Sequence, residues 1–113
     1  MKNKNPLSIS EMTLKLVKRY APRMGITFPL TGESLYMIYD NFYQQEVSYA
    51  MEAEEVKQKK GDWMIIEEKS NIFAKAADEL ADFDEKDDPD YRLLSEMICE
   101  ITIDPDDVIP EYI

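Results

Sequence analysis

The sequence predicts an all-α fold: a small four-helix bundle-like single domain over residues 1–113, with an extended apolar crossing after the first helix and a proline-rich C-terminal tail. Three observations point there. Apolar residues recur at three- and four-residue spacing through four stretches of the chain. The glycines Gly25, Gly32 and Gly61 and most of the prolines fall where one such period ends and another begins. A content of 44% apolar and 11% aromatic residues over 113 positions is enough to bury one core and too little for two.

The first helix opens with Ser8 and Glu11 at capping-box spacing and places Ile9, Met12, Leu16, Val17 and Tyr20 on one face, with Lys15, Lys18 and Arg19 opposite. Pro22 disfavours helical geometry at Ala21, and Gly25 with Pro29 makes Ile26 to Leu30 a partly buried extended crossing. The second helix is expected from about Glu33 to Lys60, capped by Thr31, with lysines in its last turn and Gly61 as terminator. Its apolar residues, from Leu35, Tyr36, Ile38 and Tyr39 through Phe42, Tyr43, Val47 and Tyr49 to Ala50, Ala53 and Val56, span roughly half the circumference, so this helix is expected at the centre.

Asp62 caps a third helix with Ile65, Ile66, Ile72, Phe73, Ala76, Ala77, Leu80 and Phe83 on one face and Glu67, Glu68, Asn71, Asp78, Glu79 and Asp82 on the other. Trp63 to Ile66 alone also reads as a strand, but the helical period continues in phase to Phe83. Asp88 as cap and Pro89 at the first helical position start a fourth helix with Tyr91, Leu94, Met97, Ile98 and Ile101 inward, against a rival strand over Cys99 to Ile103. Asp104-Pro105 and Pro110 make the tail a series of turns that docks Val108, Ile109 and Tyr112 on the bundle.

Charge is unevenly distributed. Residues 1–30 hold six bases against Glu11, a net +5, whereas residues 61–113 hold four bases against seventeen acids, a net −13, within a chain of net charge −11. Such a balance repels nucleic acid at long range and steers a basic protein surface toward the chain. There is no histidine, which removes the commonest general base and metal ligand; the one cysteine, Cys99, permits no internal disulfide and is expected in the core. No glycine-rich phosphate loop or calcium loop is present, no run is long enough to span a membrane, and the first ten residues lack the apolar region of a signal peptide. A cytoplasmic protein with no catalytic residue, cofactor or resident metal is the expectation.

Two constellations carry candidate chemistry. Glu46 falls inside the aromatic arc of the second helix, one turn from Phe42 and Tyr43 and one turn from Tyr49 and Ala50, where it is either buried, with a raised pKa or with hydrogen bonds from tyrosine hydroxyls or a basic side chain, or marks the rim of a groove or a satisfied polar contact. Glu52 with Glu55, and Glu79 with Asp82, set two carboxylates three residues apart on each of two helices. This stretch, about a quarter of the chain, resembles the paired acidic motifs of the MazG-like nucleotide pyrophosphohydrolases. The resemblance implies an all-helical fold in which Glu52, Glu55, Glu79 and Asp82 hold magnesium. The match breaks after Phe83, where the family continues with a long apolar helix and this chain enters a run of acids.

Size and charge favour a different function: a non-enzymatic module that binds a protein with a basic surface through Glu67, Glu68, Asp78, Glu79, Asp82, Asp84, Glu85, Asp87, Asp88 and Asp90. Inhibitors of nucleic-acid enzymes, of the immunity or phage counter-defence type, use rows of carboxylates as phosphate mimics, and the analogy is one of charge and size. A small DNA-binding regulator acting through the basic first helix is a further alternative, and the tyrosine-rich second helix leaves a second copy of the chain open as a partner.

Overall fold

The computed structural model describes residues 7–111. Four helices follow in order, α1 (Glu11–Tyr20), α2 (Gly32–Gln58), α3 (Trp63–Asp84) and α4 (Tyr91–Glu100), with a 3-10 turn at Pro22–Met24 and no strand among the described residues. The expected all-α fold with four helices is what forms. The two long helices make an antiparallel hairpin that sets an elongated outline of 46 × 31 × 24 Å. Against this hairpin, α1 packs on α3 and on α4.

The hairpin is held by one seam. On α2, Leu35, Ile38, Phe42, Gln45, Tyr49 and Ala53 follow one another by three- or four-residue steps and are buried; α3 answers with Ser70, Phe73, Ala76, Ala77, Leu80 and Phe83. Phe73, fully buried, meets the ring of Phe42 edge-on at 5.4 Å between centroids and stacks on Tyr49 at 5.9 Å. The seam is narrower than the half-circumference arc expected of α2. Tyr36, Tyr43 and Val47 belong to that arc yet are exposed, because a helix paired along its length with one partner buries one stripe. The helix is thus a wall of the fold and not its centre. Ile65 of α3 is exposed for a related reason: a seam with a 3.5-residue repeat drifts around a 3.6-residue helix and reaches Ile66 and Ser70 instead.

The helix ends show which local signals prevailed. Thr31 caps α2 as expected, its hydroxyl accepting from the amide of Ser34, whose own hydroxyl accepts from the Thr31 amide. At the other end Lys60, and not Gly61, takes the left-handed conformation, with amides of Lys60 and Gly61 closing on the carbonyls of Lys57 and Val56. Gly61 answers to crowding: a Cβ there would lie 2.7 Å from Cγ1 of Val56. Asp62 precedes α3 without a side-chain cap.

Ser10, and not Ser8, starts α1, and Ser8 sits at φ 57°. Ala21 keeps helical geometry despite Pro22, since the proline begins the 3-10 turn and needs no amide there; Gly25, at φ 78°, ends it. The crossing is partly buried as expected, through Ile26 and Leu30. The Leu30 amide donates to Oγ of Ser95, a buried serine that in turn donates to the Tyr91 carbonyl. Phe28–Pro29 is a cis peptide.

The fourth helix starts two residues later than expected. Asp90 accepts from the Leu93 amide as its cap, while Asp88 adopts φ 61° and Pro89 lies outside the helix. Leu94 and Ile98 are buried as expected, but Cys99, about 100° round from Ile98, is exposed. The chain runs on from Ile101 in extended form without a pairing partner, so no strand forms there.

The tail is tied down by polar contacts more than by its apolar residues. Val108 is 81% exposed and Ile109 half-buried, while Tyr112 lies outside the described residues. Lys15 Nζ meets Asp107 Oδ2 at 2.9 Å; the Tyr20 hydroxyl donates to the Pro110 carbonyl and that of Tyr49 to the Glu111 carbonyl. Lys15 is consequently buried under the tail and not on a solvent face. The Asp107 carboxylate raises the Lys15 pKa above 10.5, and Lys15 together with the Asp104 amide holds Asp107 below 3.8.

Two tests follow from this packing. Phe73→Ala should cost about 3 to 5 kcal/mol in denaturant unfolding, whereas Lys75→Ala on the exposed side of the same helix should cost almost nothing. Because the Asp107 pKa is depressed on folding, its contribution is complete above pH 3.8 and is lost as pH falls below it, and that of Lys15 is lost only above pH 10.5. Protection factors of the amides of Asp104 and of residues 106–109 should therefore drop at pH 3, and drop likewise at pH 7 in Asp107→Asn. Unchanged protection in both would show that the ion pair does not hold the tail.

Candidate protein-binding face

The acids expected to form the contact divide into two groups. Glu79 is half-buried: its Oε1 accepts from the Ser10 amide at 2.9 Å, the Ser10 hydroxyl at 3.1 Å and the Thr13 hydroxyl at 2.7 Å. A carboxylate from α3 thus caps the amino end of α1 across the fold, where the helix dipole favours a negative charge. Asp84 accepts from the Tyr91 hydroxyl, which raises the tyrosine's pKa, and Asp90 is committed to capping α4. Glu79, Asp84 and Asp90 therefore serve the fold. The other seven, Glu67, Glu68, Asp78, Asp82, Glu85, Asp87 and Asp88, are exposed, and none makes an ion pair or side-chain hydrogen bond among the described residues.

The acids at the carboxyl end of α3 run against the helix dipole. In α1 an acid occupies the first turn and bases the last, and in α2 Glu33 and Lys57 do the same. The first turn of α3 has no acid and its last turn no base, while Asp82, Asp84 and Glu85 crowd its carboxyl end beside the exposed carbonyls. Acids there oppose the dipole.

Two of the three bases of α1 are engaged within the fold. Lys15 holds Asp107, and Lys18 donates to the carbonyls of Cys99 and Ile101 at the carboxyl end of α4. The Arg23 guanidinium lies 5.2 Å from the centroid of the Tyr20 ring. Two of the three bases a DNA-binding first helix needs are therefore occupied.

The carboxylates of the MazG-like pattern are not gathered into one donor set. Glu52 and Glu55 are exposed on α2, Glu79 turns to Ser10 and Thr13, and among the described residues no group of three or more histidine, cysteine or acidic side chains is placed to hold a metal ion. Glu46 is half-buried and lies at the rim of a cleft of about 260 Å³ between α2 and α3, shared with Glu54, Trp63 and Glu67, so of the two expectations the groove rim is the one that forms. The cleft and the bonds to Glu79 were not evident from periodicity. The visible signal was Ser10 and Thr13, two hydroxyl residues one turn apart at a helix start with no acid of their own to satisfy them.

No protein-family model, curated protein or solved structure matches this chain.

Glu79→Ala should lower stability by about 1.5 to 3 kcal/mol, the range for hydrogen bonds to a charged group, while Asp78→Ala should stay within about 0.5 kcal/mol of the parent. Equal effects at the two positions, measured by urea unfolding, would remove Glu79 from its structural role.

Proposed function

We propose that the chain is a non-enzymatic acidic binding module that occupies a basic surface of a nucleic-acid-processing protein in the cytoplasm, in the manner of an inhibitor. The observation that supports this best is the row of seven acids on α3 and its following connection that make no ion pair or side-chain hydrogen bond among the described residues, set beside a basic helix in which Lys15 and Lys18 are already used. A purely solubilising charge would be expected to follow the dipole, since acids spread over helix amino ends keep a protein soluble without weakening it. Here Asp82 and Glu85 sit at the unfavourable end. Carboxylates in such a row present to a basic cleft the charge that phosphates present, and they speed the encounter by steering.

The test is a triple reversal of Asp78, Asp82 and Glu85 to lysine, which spares Glu79. With a partner captured from the host and purified, association should slow and lose most of its salt dependence, and duplex DNA should compete with the wild-type chain for that partner. The variant should also be slightly more stable than the parent, by a few tenths of a kcal/mol for each cation placed at the carboxyl end of α3. Association at the wild-type rate across a range of salt would overturn the proposal.

A further inference from the structure

Two clefts open along one flank of the α2–α3 hairpin. One, of about 260 Å³, lies toward the connecting loop between Glu46, Glu54, Trp63 and Glu67; the other, of about 200 Å³, lies at the far end between Tyr36, Tyr39, Leu80 and Glu85. Along α2 between and beside them run Tyr36, Tyr43 and Val47, 61%, 47% and 37% exposed, two turns and then one turn apart on a single stripe. This is a second apolar stripe on a helix whose first stripe is already buried in the seam. Exposed apolar stripes of this kind are where partner helices dock.

We propose that this flank is a docking groove for an amphipathic helix of the partner protein, with the helix's apolar residues on Tyr36, Tyr43 and Val47 and a flanking lysine or arginine in the cleft beside Trp63. Charge complementarity selects the occupant. Glu46, Glu54, Glu67 and Glu85 border the groove and none makes an ion pair among the described residues, so a basic edge is what they accept. A second copy of the chain would bring these same acids face to face, and an anionic membrane would be repelled. The cleft already shows the chemistry it favours: the ammonium of Lys57 stands 4.7 Å from the centroid of the Trp63 ring, a cation over an indole among carboxylates. A partner's cation would take over that ring face. The groove rests on the protein-binding function proposed above and specifies the part of the partner that is held.

Trp63 is the single tryptophan of the chain, so its fluorescence reports on the groove directly. The probe is a synthetic leucine–lysine peptide of about five helical turns with an amphipathic pattern, beside a scrambled peptide of the same composition. The amphipathic peptide should shift Trp63 emission in a saturable way. Tyr43→Asp with Val47→Asp, both at exposed positions and checked for folding by circular dichroism, should weaken it about tenfold or more. Lys57→Gln should tighten it several-fold by freeing the indole face. Equal binding of the scrambled peptide, binding indifferent to the Tyr43 and Val47 pair, or no tightening in Lys57→Gln would each overturn the groove. With the captured partner, slowing by the Asp78, Asp82 and Glu85 reversal but not by the Tyr43 and Val47 pair would sink the groove and leave the acidic module standing. The opposite pattern would sink the module.

Discussion

The packing of Phe73 between Phe42 and Tyr49 fixes the α2–α3 hairpin, and the remaining elements take their places from it. Two helices of 27 and 22 residues joined by a short turn have a long apolar contact to make and few ways to make it. Once the seam is closed in register, Glu79 is carried to a fixed height on α3. There its carboxylate meets the amino end of α1 and sets where that helix begins. Helix α1 in turn presents Lys18 to the carboxyl end of α4 and Lys15 to the tail. A hydrophobic seam therefore sets the frame, and a chain of charge-assisted hydrogen bonds arranges two ten-residue helices on it that are too short to persist alone.

This order explains the distribution of charge. The basic end and the acidic end of the sequence attract one another, but the attraction is spent on a few specific contacts at helix ends and under the tail. Three acids of the α3 region are absorbed in the same way, by α1, by Tyr91 and by the start of α4. What is left is one side of α3 and its connection bearing acids without an ion pair or side-chain hydrogen bond among the described residues, on a surface next to the exposed stripe of α2.

Much of the fold was legible in the sequence because helical period, glycines and prolines agreed with one another. The start of α2 at Thr31, its end near Lys60 and the whole of α3 followed from those signals. The errors have a common physical origin. Periodicity shows which residues can share a face but not how wide a face the neighbours will cover, so Tyr36, Tyr43 and Val47 were placed inside and are exposed. Caps failed where tertiary bonds replaced local ones: Ser8 and Glu11 have capping-box spacing, yet the acid that serves the start of α1 is Glu79, some seventy residues away. The local pattern makes Lys15 a solvent cation, because nothing near it in sequence reveals that Asp107 returns to cover it. The acidic face was legible as a set of residues. Which of its members were already engaged was not, since that depended on the same long-range contacts.

The position of the acids on α3 bears on whether their charge is incidental. A net charge of −11 can be carried almost anywhere on a surface, and carrying it at helix amino ends adds stability instead of removing it. Helices α1 and α2 follow that preference, whereas α3 and α4, apart from Asp62 and Asp90 at their starts, do not. Proteins hold an unfavourable local arrangement most often where it serves a site, because stability given up there has a use elsewhere. Asp82 and Glu85 oppose the dipole of α3, its last turn holds no base, and the Lys86 ammonium that follows lies by the Phe83 ring at 6.0 Å. That cost to the helix is the physical ground on which the proposed binding of a basic surface rests.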